Sequence, residues 1–356
     1  MILHALLAAA VAAAGPEPAD SCALAGPDVQ AAFHGAVVPS KGRAPLRLVA
    51  DVRLPGPSAR FDYQSLEPGS GRLFIAHMGA GRLILFDVRS RKMLADPSGF
   101  PTVTGVLAVP REGRVYASSA GAHALVVVDD STLEVRARVP GPRFPDGIAY
   151  DPDGRRVFVS DESGRADYVL DARTDSLVAR IDLGGEVGNT RYDPGSGCII
   201  AAVQTAGRLA VIDPATTTVV RRIDLDRAVR YPHGVYIDAD HRLAFVAGAG
   251  SGTLGVLDLR TLQLRQVLSV GRDPDVLDLD PALGRLYVAA ESGVVTVFGE
   301  RGRTLVPLGR YRARGAHTVA VDPTSHRVYL PLASVGGRPV LRILTPVTRS
   351  VGTGKS

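Results

Sequence analysis

The chain has 356 residues, with 41 Lys+Arg against 36 Asp+Glu, a formal net charge of +5, 39 Gly, 25 Pro, two Cys and no Trp. Apolar residues make up 46%, enough for a large core, which excludes a disordered chain. Two cysteines without a C-x-x-C pair exclude a disulfide scaffold, a zinc ribbon and covalent haem attachment.

The positive charge does not single out nucleic acid. Apart from Lys41, Lys92 and Lys355 the basic residues are all arginine. They are interleaved with acidic ones and form no run of five like charges. A mixed surface with no specific nucleic-acid partner is expected. At the N-terminus, Ile2 to Ala14 form a short apolar run ending in small residues, ILHALLAAAVAAA. It is too short to span a bilayer comfortably and reads as a secretory signal peptide within residues 1–20, although no Lys or Arg precedes it. A periplasmic or secreted protein without a transmembrane helix in its mature chain is expected. Residues 21–44, rich in Pro, Gly and Ala, read as a linker, and residues 347–356 as a flexible tail. Cys22 and Cys198 can pair in an oxidising compartment, but nothing in the sequence brings them together. Cys198 lies in a strand pattern and reads as a small buried hydrophobe.

From residue 45 onward the chain repeats. A turn, most often Asp-Pro, recurs at Glu67-Pro68, Val109-Pro110, Asp151-Pro152, Asp193-Pro194, Asp238-Ala239, Asp280-Pro281 and Asp322-Pro323, at intervals of 42 residues with one of 45. Each turn is followed by a β-rich segment such as RLFIAH, RVYASS or RVFVSD, and most units add a third strand (LILFDV, ALVVVDD) and a fourth (LVARIDLG, VVRRIDLD). Seven such units predict an all-β protein, a single seven-bladed β-propeller of four-stranded blades over residues 45–346. The seventh unit runs out after three strands, near Pro346, while an unpaired fourth-strand pattern stands at Leu46 to Pro55. Pairing the two closes the ring and removes two open sheet edges.

The units RRVFVSDESGRADYVLDARTDSLVARIDLGG and GCIIAAVQTAGRLAVIDPATTTVVRRIDLDR resemble the YVTN-type β-propeller repeat, and the resemblance covers residues 46–346. The asparagine of that pattern is replaced by His77, Ser119 or Asp161. The resemblance implies a propeller and export, and very little about a reaction.

Sites in propellers cluster at one mouth of the central channel, an expectation carried by the fold resemblance. Five residues before each turn, at the start of the innermost strand, stand Asp62, Thr104, Asp146, Gly188 (or its neighbour Asn189), His233, Asp275 and His317. The loops between second and third strands add His77, His123, Asp161, Glu162, Gln204 and Glu291, while His241 and His326 fall in turns on the opposite face. Carboxylates and imidazoles converging from separate blades suit a divalent cation, with zinc, manganese or iron ahead of a pure calcium cage, on Asp62, Asp146, His233, Asp275 and His317. The alternative is a water-filled channel whose polar lining pairs with itself. Eight residues before the turn, Arg143, Arg230, Arg272 and Arg314 recur, with Arg60 displaced by one. Their forked donors suit an anionic ligand, or an inter-blade lattice with neighbouring Asp. Tyr63, Tyr192, Tyr231 and Tyr236 read as core or rim packing. GAGSG at Gly248 to Gly252 reads as a hairpin turn, since no helix follows to form a phosphate cradle. No G-x-S-x-G elbow or ordered triad occurs.

Two functions remain open on these residues. One is an exported noncatalytic module, a monomer binding a protein, a glycan or a small anionic ligand at the mouth. The other is a metal-dependent, lactonase-like hydrolase or lyase, in which Arg holds an anionic substrate.

Overall fold

In the computed structural model, which describes residues 22–347, seven sheets stand around a central channel. The expected signal peptide and nearly all of the expected tail lie outside the described residues. Blades 1 to 6 have their innermost strands at Gln64–Glu67, Val103–Val109, Pro145–Asp151, Val187–Asp193, Pro232–Asp238 and Pro274–Asp280, each followed outward by its three sequential antiparallel partners. Blade 7 runs Ala320–Asp322, Arg327–Val335 and Arg338–Pro346 outward, and its outermost strand is Leu46–Arg53 from the other end of the chain. The closing pair is antiparallel, with Leu46 opposite Pro346 and Arg53 opposite Val340. The seven-bladed propeller and its closure are therefore as the strand arithmetic expects.

The repeat period is set by local chemistry. In the turn between first and second strands the Asp side chain takes the backbone N–H two residues on: Asp151 from Asp153 at 3.0 Å, Asp193 from Gly195 at 3.0 Å, Asp322 from Thr324 at 2.9 Å. Proline next to the Asp fixes φ for the same turn, so the Asp-Pro pair is a built-in hairpin signal. Blades pack face to face through the alternate residues of each strand. One second-strand position is Phe74, Tyr116, Phe158, Phe245, Tyr287 or Tyr329 in six blades, all fully buried. Each such side chain contributes roughly 2–3 kcal/mol of burial free energy. Blade 4 has the smaller Ile200 there. The GAGSG segment is a hairpin turn between Leu243–Gly248 and Thr253–Asp258, as expected.

The segment expected as a linker is instead a strap over the outer edges of the ring. Val29–Ala31 pairs in parallel with the outermost strand of blade 4, Val38 bridges Leu268 of blade 5, and Arg43 bridges Arg310 of blade 6 before the chain enters blade 7. Gly309, at φ +136°, allows this passage: a Cβ there would sit 2.5 Å from the backbone of Arg43. Unpaired edge N–H and C=O groups on three blades are what attract the strap. Its start is fixed by a disulfide between Cys22 and Cys198, 176 residues apart, so Cys198 is not the free buried thiol its strand pattern suggests. Such a link stabilises by about 2–5 kcal/mol through the unfolded chain.

Candidate functional site

Each innermost strand of blades 2 to 6 carries an irregularity in register at the mouth end, between Val103 and Val106, Pro145 and Ile148, Val187 and Thr190, Pro232 and Val235, and Pro274 and Leu277. A bulge leaves one residue unpaired and re-aims its side chain. The residues so released include Asp146, His233 and Asp275. Glycine allows the inner strands to approach closely at this level. A Cβ on Gly105 would lie 1.9 Å from the Asp146 carbonyl oxygen, and one on Gly234 would lie 1.8 Å from that of Asp275. The mouth is therefore narrow, and side chains from different blades meet across it.

Asp62, Asp146, Asp275 and His317 are buried, and His233 nearly so. His317 Nε2 lies 3.5 Å from Asp62 Oδ1 and 4.0 Å from Asp275 Oδ2. His233 Nε2 lies 3.1 Å from Asp275 Oδ1 and 4.0 Å from Asp146 Oδ2, while its Nδ1 faces Gln204 Oε1 at 3.1 Å. Asp62, Asp275 and His317 each offer a ligand atom, and these atoms lie within 4.8 Å of one another. Asp275 Oδ1 and His317 Nε2 are buried with no aligned hydrogen bond among the described residues.

The electrostatics of this cluster are strained. Burial, reinforced by Asp62, pushes the Asp146 carboxyl well above the usual range. Burial works against charge on His233, but Asp275 and then Asp146 outweigh it and raise the imidazole to about 10. The same contest raises His317, where Asp62 is the decisive partner. Burial would also raise Asp275, yet His233, helped by His317 and Arg60, holds it below the ordinary value. The mouth thus sets two imidazoles with raised pKa values between a carboxyl pushed up, Asp146, and one held down, Asp275.

The five residues expected as metal ligands are brought together. The five arginines are not. Arg60 lines the mouth cavity of about 450 Å³ and contacts Glu291 at 2.9 Å, Asp62 at 3.9 Å and Asp275 at 4.0 Å. Arg143 lies on an exposed outer loop beside His123, Arg230 donates to the Gly250 carbonyl from the outer side, and Arg272 and Arg314 are exposed without lining the cavity. Of the loop residues, Glu162, Gln204 and Glu291 line the cavity. Asp161 is turned inward and accepts the backbone N–H groups of Arg143, Phe144 and Gly164. His77 is stacked on Phe61 at 4.1 Å, and burial lowers its pKa. His123 is exposed and meets the Arg143 carbonyl oxygen.

Tyr63 is the functional feature that sequence reasoning missed. It borders the mouth cavity and two cavities beneath it, its OH donates to Asp146 Oδ2 at 3.4 Å, and it accepts from Asn189 Nδ2 at 3.3 Å. It partitions the channel. The signal lay in the repeat column: Tyr63 occupies the position of Gly105, Gly147 and Gly234 in other blades.

An inter-blade charge lattice does exist, but on the opposite face. Arg242 reaches both oxygens of the buried Asp193 in the preceding blade at 2.7 and 2.8 Å. Arg155 meets Glu112 at 2.9 Å and His326 meets Asp280 at 2.8 Å in the same blade-to-blade sense.

No protein-family model and no curated relative matches the chain. Among solved structures it is similar to the hydrazine synthase of Kuenenia stuttgartiensis, with a TM-score of 0.64 and 17% identity over 85% of this chain and 96% of the other. That likeness shows the propeller fold. The fold matches 1750 solved chains, so it selects no chemistry.

Proposed function

We propose that the protein is an exported, noncatalytic binding module whose channel mouth takes a divalent transition-metal cation on Asp62, Asp275 and His317, with Asp146 and His233 beside them. The observation that carries the reading is the meeting of three donors from three blades within 4.8 Å. Two carboxylates and one imidazole suit zinc, manganese or iron. His317 Nε2 is buried without an aligned hydrogen bond, and once deprotonated it offers a lone pair whose desolvation a cation would offset. His317 must give up its proton to bind metal, so affinity should rise with pH. Rim groups Glu162, Glu291 and Asp273 make the entrance acidic, which favours a cation over the anionic ligand expected from the arginine column. Export is supported by the Cys22–Cys198 disulfide and by the apolar leader. The hydrolase or lyase reading calls for arginines facing a substrate, and four of the five lie away from the cavity.

The test is titration of dialysed, chelator-treated protein with Zn²⁺ and Mn²⁺ by calorimetry, alongside Asp62→Asn and His317→Gln. One-to-one binding that weakens at least about tenfold in either variant, with circular dichroism unchanged, is expected. Absence of binding, or variants that bind as well as the parent, would overturn the assignment.

A further inference from the structure

A second site lies below Tyr63, at the other end of the channel. Arg191 stands on the innermost strand of blade 4, at the level held by Ser65, Leu107, Ala149 and Ala320 in four other blades. The remaining two blades carry Tyr236 and Asp278 at this level, and Arg191 stands opposite Ile200 where the other blades carry an aromatic ring. It borders two cavities, of about 470 and 320 Å³. Both are within the range of small-molecule sites.

The larger cavity has mostly apolar walls, with Val106, Ala108, Val109, Pro110, Ile148 and Ala149. Tyr150 and Tyr192 close its side, and the exposed Arg111 stands at its rim. Arg191 spends little of its donor capacity on the protein. Its Nη1 makes two long hydrogen bonds, 3.4 Å to the Ile148 carbonyl oxygen and 3.3 Å to that of Thr190. Among the described residues, Nε and Nη2 donate to nothing and no carboxylate forms an ion pair with this guanidinium. Asp278, across the smaller cavity, lies within Coulombic reach of Arg191 but makes no direct ion pair with it. It accepts the Val321 N–H at 2.7 Å and the Leu279 N–H at 2.9 Å, and burial lifts its carboxyl to about 7. Guanidinium donors left free beside an apolar chamber call for a planar anion with an apolar body.

We propose that this lower chamber binds a small monocarboxylate, its carboxylate held in the fork of Arg191 and its aliphatic or aromatic body against Val106, Ala108 and Ile148. This site is distinct from the proposed cation site at the upper mouth, and Tyr63 borders both cavities.

The test uses 4-phenylbutyrate and its neutral counterpart 4-phenylbutyramide, titrated by NMR against the full chain. The parent protein is expected to bind the carboxylate at least about tenfold more tightly than the amide, as a charge-assisted hydrogen-bond pair requires. Arg191→Gln should abolish that preference, and Ala108→Phe, which fills the chamber without touching the cation, should weaken both ligands. His317→Gln should change neither. Equal binding of carboxylate and amide, no binding of either, a preference surviving in Arg191→Gln, an unaffected Ala108→Phe or a loss in His317→Gln would each overturn the proposal.

Discussion

The two faces of the ring use the same residue types to opposite ends. On the turn face, Asp193 and Glu112 each meet an arginine from the next blade at 2.7–2.9 Å, and Asp280 meets His326 at 2.8 Å. At the mouth, Asp62, Asp146 and Asp275 share two imidazoles and one arginine, most contacts are 3.5–4.0 Å, and burial pushes the Asp146 carboxyl well above its usual range. The turn face is electrostatically satisfied and holds blades together. The mouth is strained, and strain of this kind is kept where stability is traded for binding.

The sharpest way to break the contrast is on the turn face. Arg242→Met leaves the carboxylate of Asp193 buried without its cation, and a loss of about 3–5 kcal/mol is expected in urea unfolding, with the slope unchanged. At the mouth a saturating cation should act the other way. Zn²⁺ at roughly 100 times its dissociation constant should raise the unfolding free energy by about 2.7 kcal/mol, and Asp62→Asn should remove this gain. The same gain should persist in Arg242→Met, since the two faces share no residue.

Asp167 belongs to neither face and separates burial from like-charge crowding. It lies between blades 3 and 4, takes a hydrogen bond from Thr190 Oγ1 at 2.8 Å, and is lifted by burial to about 7. A carboxyl raised in the folded state contributes stability that is intact below its unfolded value of 3.8 and is lost as pH rises towards 7. Asp167→Asn should remove that slope, with a gain on the order of 2 kcal/mol at pH 8, read from denaturant midpoints at pH 4 and 8. The smallest effect is expected at the rim. Arg60→Gln should change stability by less than about 0.5 kcal/mol, because Arg60 is largely exposed, yet tighten the cation severalfold by removing a positive charge 4 Å from Asp62 and Asp275.

The fold was legible because its repeat is written in local turn chemistry: one turn per blade, Asp-Pro in four of the seven, marks each hairpin wherever the rest of the chain lies. The convergence of Asp62, Asp146, His233, Asp275 and His317 was legible for the same reason, since one column per repeat maps onto one ring. The arginine column failed because it falls in loops ahead of the innermost strand, where no ladder fixes direction, and only Arg60 turns inward. The strap and the Cys22–Cys198 link were hidden because they depend on edges formed by residues nearly two hundred positions away. Arg191 escaped notice because blade 4 departs from the repeat at its mouth residue, Gly188, and so drew attention to the wrong position.

The contrast between the faces reduces to two substitutions of one kind. Unfolding free energies of Asp146→Asn and Asp193→Asn, measured beside the parent at pH 8 in chelator, test it directly. Removing the carboxyl at the mouth should stabilise by about 1–2 kcal/mol, a gain that fades as pH falls below the unfolded value of 3.8, where Asp146 is protonated folded or unfolded. Removing it on the turn face should cost about 3 kcal/mol, because Arg242 loses its partner. Two losses of similar size would contradict the account, for the mouth would then be one more set of structural ion pairs.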